Sequence, residues 1–330
     1  MRAVVVDRHG GPEVLSIAER PDPRPGATDV LVDVEAAGVN FIDTYHRSGY
    51  YPTTPPFVPG VEGVGVVREV GAEIASAVSP GDRVGWVMVS GSYAERMVVP
   101  YERLVPVPEQ VDPQVAAASL LQGVTAHYLT NDTYRVRPGD TVLVHAAAGG
   151  MGLVLTQLVK LRGGRVIGTV STAEKEKLAR EAGADEVIRY DDVPAQVREL
   201  TDGEGVAVVY DGVGRATFGG SLASLRRRGM LAQYGQASGP VPPFDLKQLA
   251  DGGSLFLTRP SLGHHIADRD ELVHRTSAIL GMVAKGDLHI HIGARYPLAE
   301  AATAHQDLEG RRTTGKVLLL PPRSGQHTVG

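Results

Sequence analysis

TVLVHAAAGGMGLVLTQLVKLRGGRVIGTV, residues 141–170, is the stretch on which the fold turns. Its apolar start, residues 142–144, reads as a buried strand. The small-residue turn Ala146-Ala147-Ala148-Gly149-Gly150-Met151-Gly152 follows, then a helix-period segment over 153–161 and a second strand over 165–170. Strand, turn, helix and strand in about 30 residues is the length of a dinucleotide-binding βαβ unit. Gly149 and Gly152 hold the last two glycine positions of G-x-G-x-x-G, with Ala147 at the first. A missing Cβ at Gly149 lets the backbone approach a pyrophosphate, and one at Gly152 lets the helix close on the sheet. Ala147 is tolerated if the turn needs no positive φ there. The helix that opens around Gly150 and Met151 offers unpaired N–H groups and a partial positive charge to phosphates. A glycine turn alone is weak; the strand before it and the helix after it carry the reading. The glycines, His145 and Gln157 argue against a membrane span over the same residues.

The end of the second strand selects the cofactor. A dinucleotide fold for NAD normally carries an acid there, to hold the adenosine ribose hydroxyls. Here the sequence runs Gly168-Thr169-Val170-Ser171-Thr172-Ala173-Glu174-Lys175, with no acid at 169–172. Ser171 and Lys175 suit a 2′-phosphate, which brings up to about two negative charges. Tyr190, at the end of the third strand, is placed to reach the same phosphate. NADPH is therefore expected over NADH.

Outward from this unit the rhythm is strand and helix in alternation. Strands are expected over 186–190, 206–210, 230–234 and 254–258, and helices over 195–200 and 217–226. That pattern predicts an α/β domain with a doubly wound parallel sheet, a Rossmann fold. Residues before about 110 are strand-and-turn material, with strands over 2–6, 29–36, 63–70 and 83–89, the mark of a partly open β-barrel or a sandwich. A helix is expected over 115–130, started by Asp112-Pro113. After about residue 260 come a long helix over 271–284, a short strand near Leu288, a helix over 298–308 and a strand over 316–320. This part is expected to rejoin the first domain, making the nucleotide domain an insertion. The domains are read as 1–122, 123–262 and 263–330, the last ten residues being a loose polar end.

At 330 residues the chain has room for two domains. A charged fraction of 22%, a hydrophobic fraction of 42% and a net charge of −5 suit a soluble protein and give no general attraction to nucleic acid. There are 0 cysteines, which excludes disulfides, thiolate zinc sites and a cysteine nucleophile. MRAVVVDRHGG has no long apolar stretch or cleavage signal, so a cytoplasmic protein is expected. His264-His265, His289 and His291 lack a carboxylate or third ligand at helical spacing, so no metal site is expected. His145, in a buried strand, reads as a satisfied core histidine rather than a catalyst.

Four segments together resemble a known family: GGPEVL (10–15), GVNFIDTYHRSGYYP (38–52), AAAGGMG (146–152) and GKVLLLP (315–321). They resemble the NADPH:quinone oxidoreductases of the zeta-crystallin type, zinc-free members of the medium-chain dehydrogenase/reductase superfamily. The likeness covers the whole chain, and Asn-Phe-Ile-Asp-Thr-Tyr is its most specific part. The zinc alcohol dehydrogenase branch of that superfamily places a cysteine and a histidine where this chain has Asn40 and Phe41, and Gly-His-Glu where it has Gly60-Val61-Glu62. Two of the three usual zinc ligands are thus absent, and Glu62 alone cannot make a site.

The resemblance implies a GroES-like catalytic domain around the Rossmann domain, and a quinone reduced in the cleft between them. It implies that the positions from Asn40 through Phe41 and Asp43 to Tyr45, with Tyr51, Tyr128, Val213, Tyr234 and Gln236, approach the cofactor. It also implies that Lys175 and Tyr190 take the 2′-phosphate. From the residues themselves, Asp211-Gly212-Val213-Gly214 and Tyr234-Gly235-Gln236 follow strands, where small residues let backbone meet a carboxamide or ring. Asn40 can hold a water or quinone oxygen in place of a metal. Asn40, Asp43, Tyr45 and Tyr51 share a short loop-rich segment, in which Tyr45 and Tyr51 can stack on a flat ring or donate a proton. Asp43 either caps a turn or orients Tyr45 or the ribose, and Arg47 reads as solvated. Quinone reduction asks the protein for orientation and a dry site more than for acid–base groups.

A second enzymatic reading on the same scaffold is NADPH-dependent reduction of activated alkenes, such as enones or enoyl thioesters. A third, from another class, is a nucleotide-binding protein that contacts RNA. Its only sign is the cluster Arg226-Arg227-Arg228, which reads as a solvated helix end. Ser254-Leu255-Phe256-Leu257-Thr258 is expected as the outer strand of the nucleotide sheet, an apolar edge that invites a homodimer.

Overall fold

β-Branched and small apolar residues put the early chain into strands. These are β1 (Arg2–Val6), β2 (Leu15–Glu19), β3 (Asp29–Val39), β4 (Glu62–Val70), β5 (Arg83–Val87), β6 (Arg96–Pro100) and β7 (Leu104–Pro106). The computed structural model describes residues 1–322; residues 323–330 of the polar end lie outside it. A helix, α1 (Phe41–Ser48), follows β3, in a segment expected to be loop-rich. It closes at Gly49, whose φ of 77° is the left-handed conformation glycine adopts without a Cβ clash. The chain forms two compact units, Met1–Leu121 with Ile266–Gly330, and Gln122–His265.

Helix α2 (Pro113–Tyr128) starts at a proline, with Asp112 accepting from the Gln114 and Val115 N–H groups. The second unit then alternates β8 (Thr141–Val144), α3 (Gly150–Leu161), β9 (Arg165–Thr169), α4 (Ala173–Glu181), β10 (Glu186–Ile188), α5 (Val193–Leu200), β11 (Val206–Asp211), α6 (Phe218–Ala223), β12 (Leu225–Gln233), α7 (Lys247–Asp251) and β13 (Phe256–Thr258). Its six strands are all parallel, in the order β10-β9-β8-β11-β12-β13. Counted within the unit this is 3-2-1-4-5-6, the dinucleotide-binding order, whose direction reverses between β8 and β11. Leu143, Ile167, Val209, Leu231 and Phe218 fill one of its cores. Two sequence expectations fail here. Residues 225–226 were expected to end a helix, yet Leu225 and all of Arg226-Arg227-Arg228 lie on β12. The sequence there lacks helical periodicity, and α6 stops after one and a half turns at Ala223. Arg226 is not a solvated helix end; it pairs with Asp140 at 3.3 Å.

The chain returns through α8 (Arg269–Lys285), β14 (Ile292–Pro297), α9 (Ala301–Glu309) and β15 (Lys316–Leu320). The strand expected near Leu288 is in fact β14, a few residues later; Leu288 itself is buried in the connection after α8. In the first unit β14-β15-β3-β4-β5-β7 form one sheet, with β6 also paired to β3. β15 runs antiparallel to β3, with Leu318 opposite Gly38. That register places Lys316 beside the end of β3, where Asn40 begins α1. One core of this unit packs Val4, Val6, Val39 and Tyr93 against Leu298, Ala301 and Ala304, and another gathers Val30, Val32, Val67 and Met97 around Trp86.

Candidate active site

In the second unit the turn after β8 meets Tyr190 and the end of β9. Ala146 N–H donates to both the Tyr190 hydroxyl (3.1 Å) and Thr169 Oγ1 (3.2 Å). The left-handed residue of the turn is Ala146, with φ 51°, not Ala147. Ala147 instead packs under β9, where a Cβ on Gly168 would lie 2.8 Å from its own. The two motif glycines differ. A Cβ on Gly152 would collide with Ala146 O and lie 2.6 Å from Ala147 Cα, so Gly152 permits the close helix-on-strand approach. A Cβ on Gly149 would meet only Ala146 O, at 3.2 Å, and its φ of −78° suits any residue. Gly149 therefore keeps an approach open rather than serving the backbone. It is also the N-cap of α3 and supplies no side-chain acceptor. The N–H groups that start α3 at Gly150 and Met151 thus have no capping side chain at Gly149.

His145 is buried and hydrogen-bonded on both sides, to Thr169 Oγ1 and Ser221 Oγ, each at 3.0 Å. Burial holds its pKa below the usual value, partly offset by Asp211. Ser221 and Thr217 both donate to Asp211 Oδ2 at 2.7 Å, and Asp211 Oδ1 accepts from Val213 N–H (2.7 Å) and Gly214 N–H (3.0 Å). A polar web so ties the turn after β8 to the Val213 loop. Tyr234 N–H donates to Asp211 O at 2.9 Å, and a Cβ on Gly212 would strike the Tyr234 ring. Burial, then the proximity of Asp211, Tyr190 and Tyr128, raises the Tyr234 phenol's pKa. Tyr128 is buried and stacks on His265, with centroids 4.0 Å apart. Gln236 follows Tyr234 and is half-buried. Ser171 is exposed just before α4, whose N-cap Thr172 accepts from the Lys175 N–H at 3.2 Å.

In the first unit the conspicuous segment is a helix with polar residues turned inward. Asp43, Thr44 and Arg47 are its buried residues. Asn40, the N-cap, donates its backbone N–H to Asp43 Oδ2 at 2.8 Å. Its amide is committed too. Nδ2 donates to Glu62 Oε1 (2.9 Å) and to Gly38 O (3.4 Å), and Oδ1 accepts from Lys316 Nζ (2.8 Å). Lys316 also pairs with Glu62, and both are buried. The second Glu62 oxygen accepts from Leu121 N–H at 2.7 Å. Arg47 is not solvated. It is buried, donating to Gly10 O (3.1 Å), to His305 Nδ1 (3.0 Å) and with both ends of its fork to Glu309 (2.9 and 3.1 Å). The aromatic side of the helix stays near the surface. Tyr45 meets Tyr51 at 5.3 Å, Tyr50 at 5.7 Å and Phe41 at 6.4 Å between centroids.

Lys316, Tyr93 and His305 were not singled out from the sequence, because each joins the site only through pairing across distant parts of the chain. Among the described residues no group of three or more His, Cys, Asp or Glu side chains is placed to hold a metal ion. Asn40, Phe41 and Glu62 do not fit zinc: the one carboxylate is taken by Lys316 and by N–H donors, and a phenyl ring is no ligand. No described helix is long and apolar enough to cross a membrane.

A β-rich unit continued by a parallel sheet in this strand order defines a medium-chain dehydrogenase/reductase. Comparison with known families agrees. The alcohol dehydrogenase GroES-like domain matches residues 26–109, and the zinc-binding dehydrogenase family matches residues 150–272. A quinone oxidoreductase of Pseudomonas aeruginosa is 45% identical over 319 residues, covering 95% of this chain and 97% of its own. A 2-haloacrylate reductase of a Burkholderia species is 42% identical over 97% of this chain and 98% of its own. A mycobacterial protein solved in complex with NADPH is 50% identical, with a TM-score of 0.95 over 97% of this chain and 100% of its own. The chain belongs to the quinone oxidoreductase family of the medium-chain dehydrogenase/reductase superfamily.

Proposed function

We propose that this protein is a zinc-independent NADPH:quinone oxidoreductase. The observation that carries the reading is the uncrowded Gly149 at the uncapped start of α3, followed after the second strand by Ser171 and Lys175 with no acid at 169–172. NADPH, when bound, supplies the reducing equivalents. The chain's own residues orient it: the turn and α3 take the diphosphate, and Ser171, Lys175 and Tyr190 the 2′-phosphate. Val213, Tyr234 and Gln236 take the carboxamide end. The solved NADPH complex of the mycobacterial relative supports this cofactor, and the name of the Pseudomonas relative supports a quinone as acceptor.

On the acceptor side, Tyr45 and Tyr51 offer flat faces and hydroxyls to a quinone ring, within a cluster that also includes Phe41 and Tyr50. Asn40, whose amide is spoken for by Lys316 and Glu62, acts in this reading by holding the start of α1 and the local field. A second reading, reduction of an activated alkene, is favoured by the likeness to a protein named for acting on 2-haloacrylate. NADPH oxidation with a small quinone, set beside a haloacrylate or enone, separates the two. Faster turnover of the alkene would replace the first reading with the second.

We also propose a cytoplasmic homodimer paired along β13, the outer strand of the parallel sheet. Phe256 on that strand is 55% exposed, an apolar side chain on an edge strand that pairing with a second copy would cover.

A further inference from the structure

Asp43, Tyr93 and His305 form a hydrogen-bonded chain inside the first unit whose direction is fixed from one end. All three are fully buried. Arg47 has only donors, so His305 Nδ1, 3.0 Å from Arg47, must accept. Burial, and then the Arg47 charge, pushes the His305 pKa down to about 3, so the ring is neutral and carries its proton on Nε2. That N–H points at the Tyr93 oxygen, 3.1 Å away. The Tyr93 proton is then left to donate to Asp43 Oδ2 at 3.0 Å. The same oxygen accepts the Asn40 backbone N–H, while Asp43 Oδ1 is buried with no partner. One carboxylate oxygen thus receives both the N-cap bond that starts α1 and the Tyr93 bond that ties this turn to the core.

We propose that Tyr93 and His305 are positioning residues for the reaction: they hold Asp43 as the acceptor that fixes Asn40 and the first turn of α1, the helix that carries Tyr45. The proposal rests on the reading of that helix as the acceptor side. Burial raises the Asp43 pKa to about 7, against the Asn40 and Tyr93 hydrogen bonds and the Lys316 charge, with Glu62 raising it further. Loss of the Asp43 charge weakens both bonds, so turnover falls on the acid side of neutrality and the chain beyond Asp43 sets where it falls.

The test is the pH profile of kcat for quinone reduction in Tyr93→Phe, His305→Leu and His305→Gln. Tyr93→Phe keeps the ring in its core but removes a donor, so the acid limb moves up by about one pH unit. His305→Leu moves it the same way, by less. His305→Gln, which can accept from Arg47 and donate to Tyr93, keeps it near the wild-type position. Equal losses at every pH, with the limb unmoved in all three, would overturn the proposal.

A second measurement needs no turnover. A carboxyl whose folded pKa lies above its unfolded value of 3.8 favours the folded state when protonated, so its contribution falls as pH rises from about 4 to about 7. Asp43→Asn lacks that term, so its melting temperature relative to wild type should rise between about pH 4 and pH 7. Parallel curves would show that Asp43 does not titrate there and would overturn the proposal. Diverging curves in a protein that reduces no quinone would instead sink the proposed function and leave the Asp43 chain standing.

Discussion

Lys316 donates to the side-chain oxygen of Asn40 across 2.8 Å, although 276 residues separate them in sequence. The zinc-dependent branch has a cysteine at the Asn40 position; here an ammonium group with Glu62 as its counter-charge stands against it. Both charges are buried, so neither tolerates loss of the other. Lys316→Met should therefore cost about 3–5 kcal/mol of stability, measured by urea denaturation, because it strands the Glu62 charge. Adding Glu62→Gln should recover a large part of that loss. A double variant no more stable than the single one would mean that the pair is not the reason for the loss.

The two motif glycines should respond differently to one methyl group. Gly152→Ala drives a Cβ into the backbone at Ala146 and Ala147, a clash of the kind that costs about 1–3 kcal/mol. Gly149→Ala meets only Ala146 O at 3.2 Å and should melt near the wild-type temperature. Its effect should fall on NADPH affinity, because the methyl enters the space left for the diphosphate. Calorimetry with and without NADPH separates these outcomes. A Gly149→Ala protein with unchanged affinity would move the diphosphate elsewhere.

Cofactor choice should rest on the end of the second strand. A charge-assisted hydrogen bond is worth roughly 1.5–3 kcal/mol, so Lys175→Ala should weaken NADPH binding by about 10- to 100-fold. NADH binding, which lacks the phosphate, should change little. Fluorescence titration with both cofactors measures the difference, and an equal loss for the two would remove Lys175 from the phosphate site.

Pairing along β13 should be broken by a charge. Phe256→Glu places a carboxylate on a surface that the pairing would bury. Sedimentation at micromolar concentration should show a dimer for the wild type and a monomer for the variant. A wild-type monomer would end the proposal.

How legible these features were depended on how local they are. The parallel sheet could be read because each strand, its turn and its helix are adjacent in sequence, and the Gly149–Gly152 spacing marks where the first helix starts. Helix α1 was missed because its amphipathicity is inverted. Asp43, Thr44 and Arg47 face inward while Phe41 and Tyr45 stay half-buried, so a search for apolar periodicity finds a loop. Asn40 and Asp43, three residues apart, were the available signal of its start. The burial of Arg47 depends on Glu309 and His305, on α9, and Tyr93 meets His305 across 212 residues. Nothing near those residues in sequence announces the pairing. The Arg226-Arg227-Arg228 error has a similar origin, since arginines suit a helix end but Leu225 and Met230, on either side of them, pair with β11.

The most direct measurement is quinone-dependent oxidation of NADPH by protein treated with a zinc chelator, run beside NADH. Turnover that survives chelation and prefers NADPH is the predicted result. Turnover that disappears with the metal and returns with added zinc, or that needs NADH, would contradict the account.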